Sequence, residues 1–426
     1  MIQNDHIHQG YKFSPLGIIP QEWEVKQICD VGKVITGSTP PTNDESCFGS
    51  EYMFVTPADI VGTKYIVDTE RKLSTKGFSA SRKMPKGCIL FTCIGSTIGK
   101  MAIAATELTS NQQINAIICN DIDNDFLFYG LSYQQNRIRL LAGEQAVPII
   151  NKSDFKRIKI AVPPIEEQKK IAELLSEWDK AIELQTKLIE KLELRKRALM
   201  QRLFTGRIRL NGFSDKWKKK RLSEIGVFLS SNTLSREKLN KIGGHIQNIH
   251  YGDILIHYPT IVNPEYSQIP YVNRDVIVTS DLLQDGDIIF ADTAEDNTVG
   301  KAIEIVNVKS RQIVAGLHTI PFRPNKGLFA KQFLGYYINS ESYQKQLRAL
   351  TQGIKVCSIS KSSIKNTYLQ IPSLAEQTAI AEVLISADKE IEIAKTKLSS
   401  LRNQKRGLMQ QLLTGKKRIN YGKRID

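Results

Sequence analysis

The chain has 426 residues, too long for one ordinary core and long enough for two or three domains. Hydrophobic residues, at 41%, can fill those cores, and 24% charged residues exclude bulk disorder. Lys and Arg outnumber Asp and Glu by 59 to 44, and the net charge of +15 points to a polyanionic partner, either nucleic acid or an anionic membrane surface.

The opening stretch, MIQNDHIHQGYKF, has no apolar core like a signal peptide, and no apolar run reaches the length of a membrane span. A first globular unit is expected over residues 1–160. Its candidate strands are Cys88–Thr92, Met101–Ala105 and Ile114–Cys119. Between the first two lies GSTIGK, starting at Gly95. A phosphate loop needs four residues between its glycines and Ser or Thr after the lysine. Here three residues separate Gly95 from Gly99 and Met101 follows Lys100, so a tight polar turn is expected. Aromatic residues stud a helix from Phe126, FLFYGLSYQQNRIRLLA, at a spacing that reads as core rather than as a base-stacking platform.

A long helix is expected over 161–210. No Pro or Gly occurs from Ile165 to Thr205. Apolar residues step by four and three through Ile171, Leu175, Trp178, Ile182, Ile189, Leu192, Leu199 and Leu203, a heptad seam that calls for another helix alongside. Pro163 precedes it, Glu166 and Glu167 place negative charge in its first turn, and Gly206 stops it. A basic run follows from Arg207 to Arg221, with seven cations and one Asp. It can complement the helix dipole or meet a DNA backbone; both readings stay open.

A second globular unit is expected over 211–370, with strands Asp287–Asp292 and Ala302–Val308 and an aromatic helix from Gln332. His245, His250, His257 and His318 show no helical pairing, so no metal site is expected. Asn263-Pro264-Glu265-Tyr266 is a near miss for an adenine methyltransferase motif without a glycine-rich cofactor loop, and reads as a turn. No nucleophile–base constellation is present. A second long helix is expected over 371–420, with Ile380, Leu384, Ala387, Ile391, Ala394, Leu398, Leu401, Leu408 and Leu412 along its seam and only Gly407 inside it. Gly415 stops it, and a basic tail occupies 421–426. The six cysteines, Cys29, Cys47, Cys88, Cys93, Cys119 and Cys357, form no CxxC pair and read as reduced thiols of a cytoplasmic protein.

These elements occur twice. Pro163–Gly206 aligns without gaps on Pro372–Gly415, with 20 of 44 positions identical. WEVKQICDVG at Trp23 also resembles WKKKRLSEIG at Trp217, KGCILFTCIGSTIGKMAI at Lys86 resembles DGDIIFADTAEDNTVGKAIEI at Asp285, and INKSDFKRIKI at Ile150 resembles ISKSSIKNTYL at Ile359. The helices match well and the globular units poorly, which implies helices with one shared task and units that meet different things. Each seam carries one lysine, Lys196 and Lys405. Either the lysine stems snorkel outwards, or antiparallel helices in full overlap bring Lys196 level with Glu382 and Lys405 with Glu173.

The phrase PPIEEQKKIAELL, the LMQ-x-L-x-TG ending and their second copy resemble the specificity subunits of type I restriction–modification systems over essentially residues 11–420. The second copy departs from the first in having Ser373 where the first has Pro164. The resemblance implies an α+β chain. Two mixed α/β target recognition domains are joined by two long antiparallel coiled-coil helices, with an internal pseudo-two-fold repeat. It implies a non-catalytic subunit whose domains each read one half of a bipartite, asymmetric site on double-stranded DNA. The helices would act as a ruler of ~60 Å and dock two methyltransferase subunits, with motor–nuclease subunits joining to cut unmodified DNA. No cofactor is implied here; S-adenosylmethionine, ATP and Mg belong to the partners. Candidate DNA contacts are polar side chains on turns: Thr36, Ser38, Thr92, Ser96, Thr97, Lys100, Asn111 and Gln112 in the first unit. In the second they are Asn232, Thr293, Asn297, Thr298, Lys301 and Lys355. Two other readings remain, a coiled-coil adaptor holding protein-binding modules without DNA, and a nucleotide-binding protein using the Gly95–Lys100 turn.

Overall fold

A computed structural model describes residues 9–143, 147–274, 276–353 and 356–419. The chain forms two compact units, residues 1–185 with 397–426, and residues 186–396. Each unit therefore contains part of both long helices.

The first unit is built on a five-stranded sheet in the order Gly32–Thr36, Ile114–Cys119, Ile89–Thr92, Met101–Ala104, Tyr65–Ile66. Its first four strands pair antiparallel and the last joins in parallel. The three strands expected in this region are present, two of them slightly shorter at an end. Ile89, Leu90, Phe91 and Thr92 are all buried, as a strand covered on both faces must be. A four-stranded sheet packs with it, in the order Thr109–Ser110, Tyr52–Val55, Lys72–Leu73, Phe48–Gly49. Glu24–Gln27 and Lys159–Val162 close a separate antiparallel pair.

The second unit repeats this plan strand for strand. Its five-stranded sheet runs Gly226–Phe228, Thr319–Pro324, Ile288–Ala291, Ala302–Ile305, Ile261–Val262, again with only the last pairing parallel. Its four-stranded sheet and its closing pair, Lys218–Arg221 with Tyr368–Ile371, follow the same order. The poor sequence match between the units thus hides one topology. The aromatic segments are core, as expected. Each is broken into two short helices, Asn124–Tyr133 with Gln135–Arg139, and Phe333–Ile338 with Glu341–Arg348. Phe126, Leu127 and Tyr129 are buried in one unit, and Phe333, Tyr336 and Tyr337 in the other.

The long helices span Ile165–Phe204 and Leu374–Leu412. At ~1.5 Å per residue the first is ~60 Å long. Gly206 and Gly415 follow their ends at φ +66° and +69°, the left-handed conformation glycine adopts without penalty. Every seam residue is buried or half-buried. Ile171 and Leu175, near the start of the first helix, share a core with Leu412 at the end of the second. Ile380 and Leu384, near the start of the second, share a core with Leu203. In each unit, then, the start of one helix packs against the end of the other, and the helices run antiparallel.

The register differs from full overlap. Lys196 pairs with Asp388, not Glu382, and Lys405 pairs with Asp179, not Glu173. The lysines do not snorkel. Tyr336 donates its hydroxyl to Asp388 at 2.7 Å and Tyr129 donates to Asp179 at 2.6 Å, and each ammonium lies over its tyrosine ring, 5.1 and 5.0 Å from the centroid. The six-residue displacement has a cause at the helix starts. The first turns of each helix run on past the end of its neighbour, and the chain leaving that neighbour folds back over them. Arg418, three residues after Gly415, grips Glu167 through Nε and Nη2 at 2.7 and 2.8 Å, and Trp23 donates to the same carboxylate at 3.1 Å. Arg209, three residues after Gly206, grips Glu376 in the same way, with Trp217 at 3.0 Å. Both carboxylates are fully buried.

The glutamine of each E-Q pair is also spent. Gln168 accepts from Asp123 N and donates to Pro163 O, and Gln377 accepts from Ala330 N and donates to Pro372 O. The repeated phrase therefore records a repeated junction.

Candidate nucleic-acid interface

One end of the first five-stranded sheet gathers four of the eight candidates named for that unit. Thr36 donates to Asn115 Oδ1 at 2.7 Å, and Gly37 lies so close to the Asn111 carbonyl that a Cβ there would approach it to 2.1 Å. Thr39 reaches Gln112 Oε1 at 2.7 Å. Arg82 donates its backbone N–H to Ser38 Oγ and its Nη1 to the Thr36 carbonyl. The polar turn of residues 93–100 adjoins this group, since Cys93 N donates to Gln113 O at 2.7 Å. The turn is closed by Lys100 N to Thr97 O and opened by Gly95 at φ +91°. Ser96 and Lys100 are exposed and Thr97 half-exposed. Thr92 is not at the surface: it is fully buried in its strand, facing the interior.

Cations flank this patch. Partial burial and the nearby charges of Lys156, Arg82 and Lys33 hold the Lys152 ammonium below the usual lysine range. The twin lysine, Lys361, lies beside the corresponding edge strand of the second unit. It donates to Leu229 O at 3.2 Å and sits over the Phe228 ring. The two lysines occupy the same place in the phrases NKSDFK and SKSSIK; neither was a sequence candidate, and that alignment is the signal that would have found them.

The second unit's candidates divide differently. Asn297 and Thr298 are exposed on the turn, where Asp296 accepts from both Thr298 N and Oγ1. Thr293 is half-buried and donates to Asp292 at 2.7 Å. Asn232 is consumed inside the fold, donating to Ala315 O and accepting from Leu234 N and Asn248 Nδ2. Lys301 is turned inward to the Leu255 carbonyl at 2.9 Å, and burial lowers its pKa, so it is not a surface cation. Lys355 and the 421–426 tail lie outside the described residues. The basic runs after the helices also need correction, because Arg209 and Arg418 are spent on buried carboxylates.

The histidines come together in a way sequence spacing does not show. The ring of Tyr251 lies between His250 and His318, 4.7 and 5.2 Å away. Burial, then Arg236, keeps His250 below the usual histidine range. Among the described residues no group of three or more His, Cys, Asp or Glu could hold a metal. All six cysteines are free, and burial pushes Cys88, Cys93 and Cys119 up to about 12. No helix among the described residues is long and apolar enough to cross a membrane.

Comparison with known proteins adds to this geometry. Residues 20–194 and 214–403 match the family described as the type I restriction modification DNA specificity domain. The chain is 26% identical to the type I restriction enzyme MjaVIII specificity subunit of Methanocaldococcus jannaschii, over 94% of each chain. It is 28% identical to the putative MjaX specificity subunit of the same organism, over 96% of this chain and 97% of that one. Its fold is similar to the crystal structure of the type I restriction–modification S subunit from M. genitalium, with a TM-score of 0.53 at 17% identity, over 92% of this chain and 96% of that one. Two matched segments, one on each copy of a duplicated fold, together cover most of the sequence, and the chain belongs to the type I restriction–modification DNA specificity family, as a DNA sequence-specificity subunit.

Proposed function

We propose that each unit reads one half of a bipartite DNA target through the polar end of its five-stranded sheet, and that this chain performs no catalysis itself. The observation that carries this reading is the contrast within the repeat. The helix junctions are duplicated residue for residue, with Trp23, Glu167 and Arg418 matched by Trp217, Glu376 and Arg209. The sheet ends are not: Ser38, Asn111, Gln112 and Gln113 in one unit stand against Asp292, Thr293 and His318 in the other. A constant frame with unequal polar ends suits two unequal half-sites.

In the same reading two methyltransferase subunits dock along the paired helices. Leu184, Leu188 and Ile393 are exposed there at 67%, 45% and 61%, and Ile393 is the repeat equivalent of Leu184. Apolar side chains left outside a satisfied seam suit a protein partner. S-adenosylmethionine would be bound by those subunits, and ATP and Mg by motor–nuclease subunits.

Salt dependence tests the DNA arm. Binding of duplex DNA by the chain assembled with its modification subunit should weaken by at least ~100-fold between ~50 and ~200 mM salt, as release of counterions from several phosphates requires. Affinity that is flat with salt would favour an adaptor without DNA contact.

A further inference from the structure

Strand register places Gln113 and His318 at the same point of the two units. Thr92 pairs with Ile114 in the first sheet, and Ala291 with Thr319 in the second. One residue beyond those pairs, Cys93 N donates to Gln113 O and Asp292 N donates to His318 O. The next link is also shared, Ile150 N to Cys93 O and Ile359 N to Asp292 O, both at 2.8 Å. The two positions are equivalent, and the side chains on them are chemically opposite.

Gln113 is held at one end and open at the other. Its backbone N–H donates to Asn111 Oδ1 at 3.1 Å, which fixes the Asn111 amide so that Nδ2 faces Gln113 Oε1 at 2.8 Å. Gln113 Nε2 then has no partner among the described residues and presents N–H donors. His318 is held in the reverse sense. Asp292 Oδ1, which as a carboxylate only accepts, lies 3.2 Å from His318 Nδ1 and so assigns the ring proton to Nδ1. Thr293 donates to the same oxygen, and Tyr251 packs edge-on against the ring. The backbone of His318 sits at φ +54°, a region non-glycine residues seldom adopt. In the neutral ring, with its one proton on Nδ1, Nε2 has no partner among the described residues and is an acceptor.

We infer that Gln113 and His318 are the paired base-reading side chains of the two units, Gln113 donating to a base edge of one half-site and His318 accepting from a base amino group of the other. Resting on the DNA-reading function proposed above, the inference adds the residues and the polarity of each contact. A side chain locked at one polar atom and free at the other costs little to order on binding, and base edges in the major groove offer both kinds of partner.

The test is a map of methylated adenines in a methylation-free host that expresses the full chain with its modification subunit. The unaltered chain must first give a bipartite motif; without one, the DNA-reading function itself fails. Given that motif, His318→Ala and His318→Gln should each relax one position of one half-site, by about tenfold in discrimination. Gln113→Glu, which exchanges the free donor for an acceptor at nearly constant shape, should change the preferred base at one position of the other half-site. An unchanged motif from all three variants overturns the inference. So does a loss of methylation in all three that is uniform across both half-sites.

Discussion

At the scale of single residues, Glu304 is the group whose chemistry is most out of place. It is buried at 3% exposure in the central sheet of the second unit, accepts from Gln332 N and Gly335 N at 2.7 and 2.8 Å, and has no cation as partner among the described residues. Burial outweighs both hydrogen bonds and raises its pKa from 4.5 to about 7. The folded state therefore holds the proton more tightly than the unfolded state, so this group's contribution to stability falls as pH rises from about 4.5 to about 7 and is level above that. Urea unfolding at about pH 5 and about pH 8 should show this slope in the unaltered protein and a reduced slope in Glu304→Gln. Equal slopes in the two proteins would show that Glu304 is ionised throughout. Nothing in the sequence marked this residue. Its neighbour Gly335 has no room for a Cβ, which would lie 2.7 Å from the Glu304 Cβ, and that close approach arises only when helix and sheet are packed. The same limit applies to the candidate contacts. Thr92, Asn232 and Lys301 are polar residues near turns, like Ser96 and Thr298, and only tertiary structure turns the first three inward.

At the scale of elements, the long helices were legible because helix periodicity, glycine stops and an internal repeat agree. Their register was not. Full overlap is the natural assumption for equal helices, and it ignores chain that follows the stop glycines. Arg418 and Arg209 fill that place; their buried partners are Glu167, read as a carboxylate favoured by a helix dipole, and its repeat equivalent Glu376. Glu167 has no exposure, so removing Arg418 leaves a buried charge whose one remaining side-chain donor among the described residues is the Trp23 indole. Arg418→Ala should lower stability by about 3 kcal/mol, and adding Glu167→Gln should recover part of that loss, measured as shifts in denaturation midpoint. Stability unchanged by Arg418→Ala would mean that the junction is set by the apolar seam alone. The polar triads Lys196–Asp388–Tyr336 and Lys405–Asp179–Tyr129 belong to the same scale. They tie each seam lysine to a carboxylate on the opposite helix and to an aromatic helix of the globular unit. Helix register and unit placement on the helix are thus specified by one set of contacts.

At the scale of the molecule, the duplicated plan was visible in 20 of 44 identical helix positions, while the shared topology of the two units was visible only around the strands Ile89–Thr92 and Ile288–Ala291, because most strands match in order and direction rather than in residues. Buried strands tolerate exchange among apolar residues. That tolerance lets Ile89–Thr92 and Ile288–Ala291 occupy one position in the fold while the turns beyond them diverge. The net charge of +15 is spread over the whole chain. The part of it free to meet a polyanion is smaller than the basic runs imply, because Arg209 and Arg418 are held by buried carboxylates. One measurement decides whether this frame carries two independent readers: sequencing of methylated adenines in DNA from cells expressing the chain with its modification subunit. Two short, dissimilar specific segments separated by a fixed stretch of unspecified bases are the predicted result. A single continuous motif, or one whose halves are identical, would contradict it.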